Sequence, residues 1–337
     1  MVTRIFQLLL LLSPIAIGTD VNMDMFDVIF FRTGVIALVM VSMVDKPKRQ
    51  MPEYINKVVF GLLGLVIANI FIHTFSPVVL HNTLNLFLAI IGFYVVYQHY
   101  DEAKSLGKFI LLAAGLNLVF FISQRMGFDP IWNKLPYKGE EGAFLGNKPR
   151  LMTYFALVTP FLHRDLLWLS IILGLWTKQY IIFIPVIVAL FMGMKSLQAK
   201  RAVLLCAVIF LAIISKRIIQ SLVFRFNMSY KPVLTAFFTQ PLIGFGLGVR
   251  PIPELEVMGN SYLQFIVGVG LAGLVWFGYI FKAIWQKIGL RNLTPAFITL
   301  ALIMLVEYPI ELPRLWFLIM AIIMMQLLKG GKDVSSN

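Results

Sequence analysis

Charged residues are scarce in this chain. They make up 13% of its 337 residues, whereas a soluble domain has about 25%. Hydrophobic residues make up 59%, and the mean hydropathy is +0.86. These values exclude an ordinary soluble globular protein and predict an integral membrane protein. Because the apolar segments are long and do not alternate with polar residues, they favour an all-α fold over a β-barrel.

Residues that bind metals or form disulfides are also scarce. The single cysteine, Cys206, excludes an internal disulfide, and its apolar surroundings predict a small buried hydrophobe. No H-E-x-x-H, paired C-x-x-C, G-x-S-x-G or Walker sequence is present. We therefore predict neither a metal nor a cofactor. The four histidines fall at predicted helix ends or in loops, without the spacing of metal ligands: His73, His81, His99 and His163.

Long apolar runs predict about twelve transmembrane helices in one membrane domain covering 1–337. A spanning helix needs roughly 20 apolar residues. The N-terminus resembles a signal peptide, but no A-x-A-like site follows it, so we interpret it as the first membrane helix. The predicted helices cover residues 4–20, 25–44, 57–75, 79–98, 107–124, 149–162, 165–178, 180–195, 201–220, 261–281, 293–307 and 314–329.

Alternate loops are short and basic, which is typical of cytoplasmic loops. This pattern places both termini in the cytoplasm and two large loops, at about 125–149 and 221–260, outside. The cations of the outer loops either keep a wet surface soluble or attract an anionic substrate. No motif for nucleic-acid binding is present. The short basic loops contain Lys46, Lys48, Arg49 and Lys57; Lys104 and Lys108; Lys195, Lys200 and Arg201; and Lys282, Lys287 and Arg291.

Several charges are predicted at or near membrane depth, where they are costly and usually functional. Arg32 shares a helix with Asp24 and Asp27, and either forms a structural ion pair between helices or serves a function. A second group of cations lies at helix ends near the outer face. Snorkelling to the interface explains each one singly, and their clustering favours anion binding. This group comprises Lys178, Lys216, Arg217 and Arg225.

The stretch "QPLIGFGLGVR" places three glycines in alternation, at Gly244, Gly246 and Gly248. It is not the G-x-G-x-x-G dinucleotide-binding pattern. By themselves the glycines are compatible with a phosphate-binding loop, with close helix packing or with a turn.

The wider context, "FRFNMSYKPVLTAFFTQPLIGFGLGVR" followed by "GNSYLQFIVGVGLAGLVWFGYI", resembles the signature of the O-antigen ligase and polymerase family. Upstream, "GAFLGNKPRLMTYFALVTPFL" and "LGLWTKQYIIFIPVIVALFM" resemble two further segments of that family. The resemblance covers residues 140–280. The matching positions are Arg225, Pro241, Gly244, Gly246, Gly248, Asn260, Tyr262, Leu263, Gly270 and Gly273.

The resemblance implies a glycosyltransferase at the periplasmic face of a bacterial inner membrane. Such an enzyme transfers a glycan from undecaprenyl pyrophosphate to an acceptor glycan, without metal or nucleotide, and admits a chain-length regulator as a partner.

Two positions depart from the family's sequence pattern. Gly259 stands where ligases usually carry histidine, which favours a polymerase. Thr177 and Lys178 replace a common Ser-Arg pair, and lysine lacks the bidentate fork of arginine.

On this resemblance we assign roles to individual residues. Arg225 and Arg250 are the catalytic candidates that stabilise the departing diphosphate, since preset cations favour developing negative charge. Glu254 or Glu256 is either the base toward the acceptor hydroxyl or a solvated loop carboxylate. The predicted substrate-binding residues are Lys178, Lys216, Arg217, Arg150, Asn260, Tyr262, Gly244, Gly246 and Gly248.

Three other functions remain open at this point. A ligase would move the glycan to lipid A-core or protein. A transporter or flippase of lipid-linked glycans should show two similar halves, and no internal repeat is visible in the sequence. A structural partner in an envelope assembly is the third.

Overall fold

The computed structural model describes residues 1–15, 23–73, 76–100, 103–128, 143–145, 148–225, 227, 230–247, 261–307 and 315–330. Within these residues the chain is all-α, which confirms the predicted fold class. The helices are α1 Val2–Leu12, α2 Met23–Ser42, α3 Glu53–Ile72, α4 Pro77–His99, α5 Ala103–Arg125, α6 Lys148–Val158, α7 Leu167–Thr177, α8 Phe183–Gly193, α9 Leu197–Arg225, α10 Lys231–Thr239, α11 Ser261–Val269, α12 Leu271–Ala283, α13 Pro295–Val306 and α14 Trp316–Gly330.

Three helical segments are long and apolar enough to cross a membrane: Glu53–Ile72, Pro77–His99 and Ser105–Arg125. They agree with the expectation of a membrane protein. Shorter apolar helices, of 10–17 residues, include Val2–Leu12 and Pro295–Val306. The total of about twelve spans stays a prediction.

The structure corrects two predicted boundaries. The helix predicted at 261–281 is two helices, α11 and α12, because Gly270 between them has φ +73, a left-handed conformation that ends an α-helix. The loop predicted at 221–260 contains regular structure. Helix α9 continues to Arg225, and α10 follows with a proline in its first turn, where a missing N–H costs nothing.

The core is a bundle of α1, α2, α4, α5, α6 and α14, which we call the helical bundle. Its centre is aromatic: Phe317 of α14 is fully buried and packs on Phe6 and Phe31, with ring centroids 6.3 and 5.5 Å away. Gly34 makes room for this cluster, since a Cβ there would lie 2.8 Å from the Phe317 ring. Side-chain packing between continuous helices therefore holds the helical bundle together.

Large apolar side chains also cover much of the outside. On α9, Leu204, Leu205, Val208 and Ile209 are all at least half exposed. Cys206 lies among them and is exposed, so the prediction of a buried cysteine is wrong. The physical reason is that a helix facing lipid gains nothing by turning its apolar residues inward.

Contacts at the two opposite ends of the helices around α4 show in which direction each helix runs. Arg32 of α2 contacts Asn85 of α4, and Ser261 at the start of α11 donates to the Glu307 carbonyl oxygen after α13. At the opposite end, Gln326 of α14 contacts the start of α13. Helices α2, α4, α11 and α14 thus begin at one end, which we call the Asn85 end, and run toward the other, the Gln326 end.

Candidate functional site

Helices α11 and α12 are separated by a break at Gly270. Its own amide donates to the Ile266 carbonyl oxygen at 2.6 Å, but the preceding carbonyl groups lose their helical partners. Irregular backbone at membrane depth is tolerated only where the protein or a cavity satisfies its polar groups. The break therefore needs partners from elsewhere in the chain.

Residues 241–247, the glycine turn, supply those partners. Phe245 donates its amide to the Val267 carbonyl oxygen at 3.0 Å, and Gly246 donates to that of Gly268 at 2.9 Å. In return, Leu271 at the start of α12 donates to the Pro241 carbonyl oxygen at 2.7 Å. The turn and the break therefore satisfy each other's backbone groups.

This docking needs glycine because backbone meets backbone directly. A Cβ on Gly244 would lie 2.4 Å from the Val267 carbonyl oxygen, and one on Gly270 would lie 2.5 Å from that of Leu242. Gly244 and Gly246 also have φ values of +66 and +99, which other residues rarely adopt. The sequence left three interpretations of these glycines open. Two of them, close packing and a turn, account for Gly244 and Gly246.

The same contacts limit phosphate binding by the turn. Gly244 donates to the Gln240 carbonyl oxygen at 3.1 Å, and Leu247 donates to Asn69 Oδ1 at 2.9 Å. With the amides of Phe245 and Gly246, four consecutive backbone amides thus donate hydrogen bonds to acceptors within the protein. An anion would have to displace these bonds, so Gly244 and Gly246 position the turn rather than offer free N–H groups.

Asn69 of α3 locks the arrangement and was missed from the sequence. It is 2% exposed, and its amide nitrogen donates to the Gly268 carbonyl oxygen at 3.1 Å while its oxygen accepts from Leu247. One side chain thereby bonds the turn and the helix break at once. The only sequence signal was an amide within the apolar run "LLGLVIANIFI".

A cavity of about 420 Å³ lies beside this unit, between α3, α4 and α11–α14. Its lining is mostly apolar, for example Phe265 and Trp276, and includes Leu247 from the glycine turn. Its polar groups include Ser261 and Tyr262, and the Tyr262 hydroxyl donates to the Ala301 carbonyl oxygen at 3.3 Å. The predicted substrate-binding Tyr262 is therefore a cavity residue already bonded to α13.

Arg32 of α2 is bonded to Asn85, a residue of α4 in the wall of the same cavity. Its Nε donates to Asn85 Oδ1 at 2.8 Å, and its Nη2 lies 3.3 Å from both His81 Nδ1 and the His81 carbonyl oxygen. Asn85 lines the cavity. In the part of the chain that is described, these neutral groups are the partners of Arg32. The ion pair between helices that the sequence left open for Arg32 does not form among the described residues, where Arg32 contacts Asn85 and His81 of α4.

Arg150 of α6 and Lys178, which directly follows α7, lie elsewhere, and α6 and α7 pack on each other. Lys178 is exposed and ends α7 in a left-handed conformation, with φ 57 and ψ 26. Two residues before it, Trp176 stacks under Arg125 of α5, whose guanidinium carbon is 5.5 Å from the ring centroid. Arg125 and Lys178 thus lie at the ends of α5 and α7, with Arg125 packed on Trp176. Arg150 is half-buried.

The remaining predicted site residues cannot be placed with side chains. Lys216, Arg217 and Arg225 lie on the backbone of α9, but their side chains are outside the described part of the structure. Among the described residues, no group of three or more His, Cys, Asp and Glu side chains is arranged to hold a metal. Wholly outside the described residues are Gly248, Arg250, Glu254, Glu256 and Asn260.

No family model matches this chain, and no curated protein matches it significantly. The resemblance to O-antigen ligases and polymerases therefore rests on the quoted sequence segments alone.

Proposed function

We propose that this chain is a membrane glycosyltransferase that polymerises undecaprenyl-pyrophosphate-linked oligosaccharide repeat units at the outer face of a bacterial inner membrane. The donor is the lipid-linked glycan, the acceptor is a sugar hydroxyl of a second glycan, and the leaving group is the lipid pyrophosphate. The products are O-antigen, capsule or exopolysaccharide chains. The resemblance of residues 140–280 to that family is the starting point.

One structural observation carries the proposal furthest. Leu247 and Ser261, which flank residues 248–260, both line the apolar cavity. The segment that holds Arg250, Glu254 and Asn260 therefore begins and ends at a cavity suited to hydrocarbon. A lipid-linked diphosphate needs an apolar site for its chain and cations for its charge.

Orientation supports an outer location for the chemistry. Lys48 and Arg49 lie against the last turn of α4, donating their amides to the Gln98 carbonyl oxygen at 2.8 and 3.1 Å. Short basic loops lie in the cytoplasm, so the Gln326 end of the bundle faces inward. The Asn85 end, with the glycine turn, then faces outward. This arrangement gives twelve spans if each short apolar helix crosses with its flanking 3₁₀ segment.

A transporter or flippase is the second candidate, because broken helices beside a cavity are typical of transporters. In those proteins the free ends of the half-helices bind the substrate. Here the carbonyl oxygens of Val267 and Gly268 already accept bonds from the glycine turn, and Gly268 accepts a second bond from Asn69. The break is thus built for rigidity, which favours an enzyme scaffold. A ligase with a different acceptor would use the same cavity and cations, and Gly259, where ligases usually carry histidine, counts against it.

The proposal is tested by replacing cations in cells whose surface polysaccharide depends on this chain. Arg225→Ala and Arg250→Ala should each reduce long-chain polymer at least about a hundredfold, the cost of one lost stabilising donor. Lys178→Gly is the sharper variant, because glycine suits the left-handed position and keeps α7 intact. It should shorten the polymer without lowering protein abundance. Chain length is read on gels and abundance by immunoblot.

Arg164→Ala is the matched control, since Arg164 is exposed on a 3₁₀ turn. It should leave the polymer unchanged. A polymerase defect leaves single repeat units at the cell surface, a ligase defect leaves polymer on the lipid carrier, and a transport defect leaves repeat units inside. Normal polymer in both Arg225→Ala and Arg250→Ala cells with normal protein abundance would refute the assignment.

A further inference from the structure

Arg32 is a cation with neutral partners, set well within a helix. It is the tenth residue of α2, about 14 Å along its axis at 1.5 Å per residue. Its described contacts are Asn85 and His81, and among the described residues its Nη1 has no hydrogen-bond acceptor. A guanidinium at such depth that has no carboxylate partner among the described residues is costly, and such residues usually serve a ligand or an ion pathway.

Asn85 connects this cation to the cavity. It is 8% exposed, its oxygen accepts from Arg32, and it lines the cavity wall together with Asn82 one turn earlier. The Asn82 amide nitrogen donates to the Val78 carbonyl oxygen of its own helix at 2.9 Å. Two side-chain amides therefore line the Asn85 end of a mostly apolar cavity, and the Arg32 guanidinium is bonded to one of them.

The cavity is elongated, with different chemistry at its two ends. On α4 its lining runs from Asn82 to Phe93, twelve residues that rise about 16 Å along the helix. At the far end the one side-chain amide, Gln326, is already satisfied. It accepts from the Thr294 amide at 2.6 Å and donates to the Asn292 carbonyl oxygen at 3.2 Å. Unused polar capacity thus lies at the Asn85 end.

We propose that Arg32, Asn82 and Asn85 bind the phosphate of a single-chain polyprenyl phosphate lipid whose hydrocarbon lies along the cavity. Guanidinium binds phosphate with charge-assisted, often bidentate hydrogen bonds. The positive charge favours an anionic head group, and the mostly apolar cavity of about 420 Å³ favours a hydrocarbon chain. The identity of the lipid rests on the proposed function, but the binding site does not require activity.

The test is lipid binding to the full chain purified in detergent, measured by native mass spectrometry. The probes are undecaprenyl phosphate, undecaprenol without phosphate, and the two-chain lipid phosphatidylglycerol. Arg32→Gln should weaken undecaprenyl phosphate binding at least tenfold and leave undecaprenol binding unchanged. Arg32→Lys should fall between. The control Arg164→Gln, at an exposed position, should bind as the parent protein does.

Two further variants keep the proposal testable if Arg32→Gln does not fold. Asn85→Asp places a carboxylate against Arg32 and should weaken undecaprenyl phosphate binding by neutralising it. Ala283→Phe fills the Gln326 end of the cavity, which Ala283 lines. It should weaken undecaprenyl phosphate binding and leave the short geranyl phosphate unaffected.

Unchanged undecaprenyl phosphate binding in folded Arg32→Gln and Asn85→Asp proteins would overturn the inference. So would equal loss of undecaprenol binding, which would show a general collapse of the cavity, and so would preferred binding of phosphatidylglycerol. These outcomes test the lipid-binding site and can be distinguished from a failure of the proposed polymerase function. Loss of polymer in Arg225→Ala cells alongside normal lipid binding by Arg32→Gln would refute only the Arg32 site.

Discussion

The helical bundle and the glycine turn with its broken helix are held together in different ways. In the bundle, continuous helices meet through side chains, such as Phe317 against Phe6 and Phe31. At the turn, backbone groups bond to backbone groups, and Asn69 is the side chain that joins them. Side chains can shift by a few tenths of an ångström, but hydrogen-bonded backbone cannot. The two regions should therefore respond differently to the same substitution.

The difference follows from the bilayer as solvent. Continuous helices satisfy their own backbone groups, so they pack on each other through side chains. A broken helix must find donors and acceptors elsewhere, and the cost of a missing partner is high where water is excluded. We therefore expect the turn and the break to be the least tolerant part of the described structure.

The largest effect is expected for Gly244→Ala. The added Cβ would lie 2.4 Å from the Val267 carbonyl oxygen, and φ +66 is unfavourable for alanine. Together the clash and the strain should lower stability by about 3 kcal/mol or more. Thermal unfolding of the purified protein measures this loss. Gly278→Ala is the control, because nothing lies within 4 Å of a Cβ there. Equal unfolding midpoints for the two variants would contradict the backbone docking.

A somewhat smaller loss is expected for Asn69→Ala. It leaves the Leu247 amide without its acceptor and removes one of two bonds to the Gly268 carbonyl oxygen. One unsatisfied buried donor costs about 1–3 kcal/mol, so stability should fall by about 2 kcal/mol. Asn56→Ala on the same helix is the matched control, since Asn56 makes one long bond of 3.4 Å. If both variants unfold alike, Asn69 is not the clamp.

The smallest effect is expected for Gly92→Ala in the bundle. The nearest atoms to a Cβ there are side-chain methyl groups of Val35 and Met320, at 3.2 and 3.3 Å. Met320 is flexible and can move, and alanine is the better helix former by roughly 0.5–1 kcal/mol. The free energy of unfolding should therefore change by less than about 1 kcal/mol, measured from the shift of the unfolding midpoint. A loss as large as that of Gly244→Ala would show that the bundle is as unyielding as the turn.

Much of the helical layout was predictable, because long apolar runs have few other options in a bilayer. The break within 261–281 was not, since Gly268, Gly270 and Gly273 all permit several conformations. The spacing of the glycines likewise could not show which of Gly244 and Gly246 packs directly against the backbone of another segment. For the candidate site, Tyr262 was predicted and does line the cavity. Asn69 and Asn85 were missed because an isolated amide carries no periodic signal.

By itself, the sequence determined an all-α chain with basic short loops and apolar outer faces, because composition and charge act locally and additively. Only the tertiary structure decided that the glycine turn fills a helix break, since its partners at Asn69 and Val267 are distant along the chain. It also decided that Arg32 bonds to Asn85 of α4. Hydrogen bonds depend on direction and distance, and the fold alone sets both.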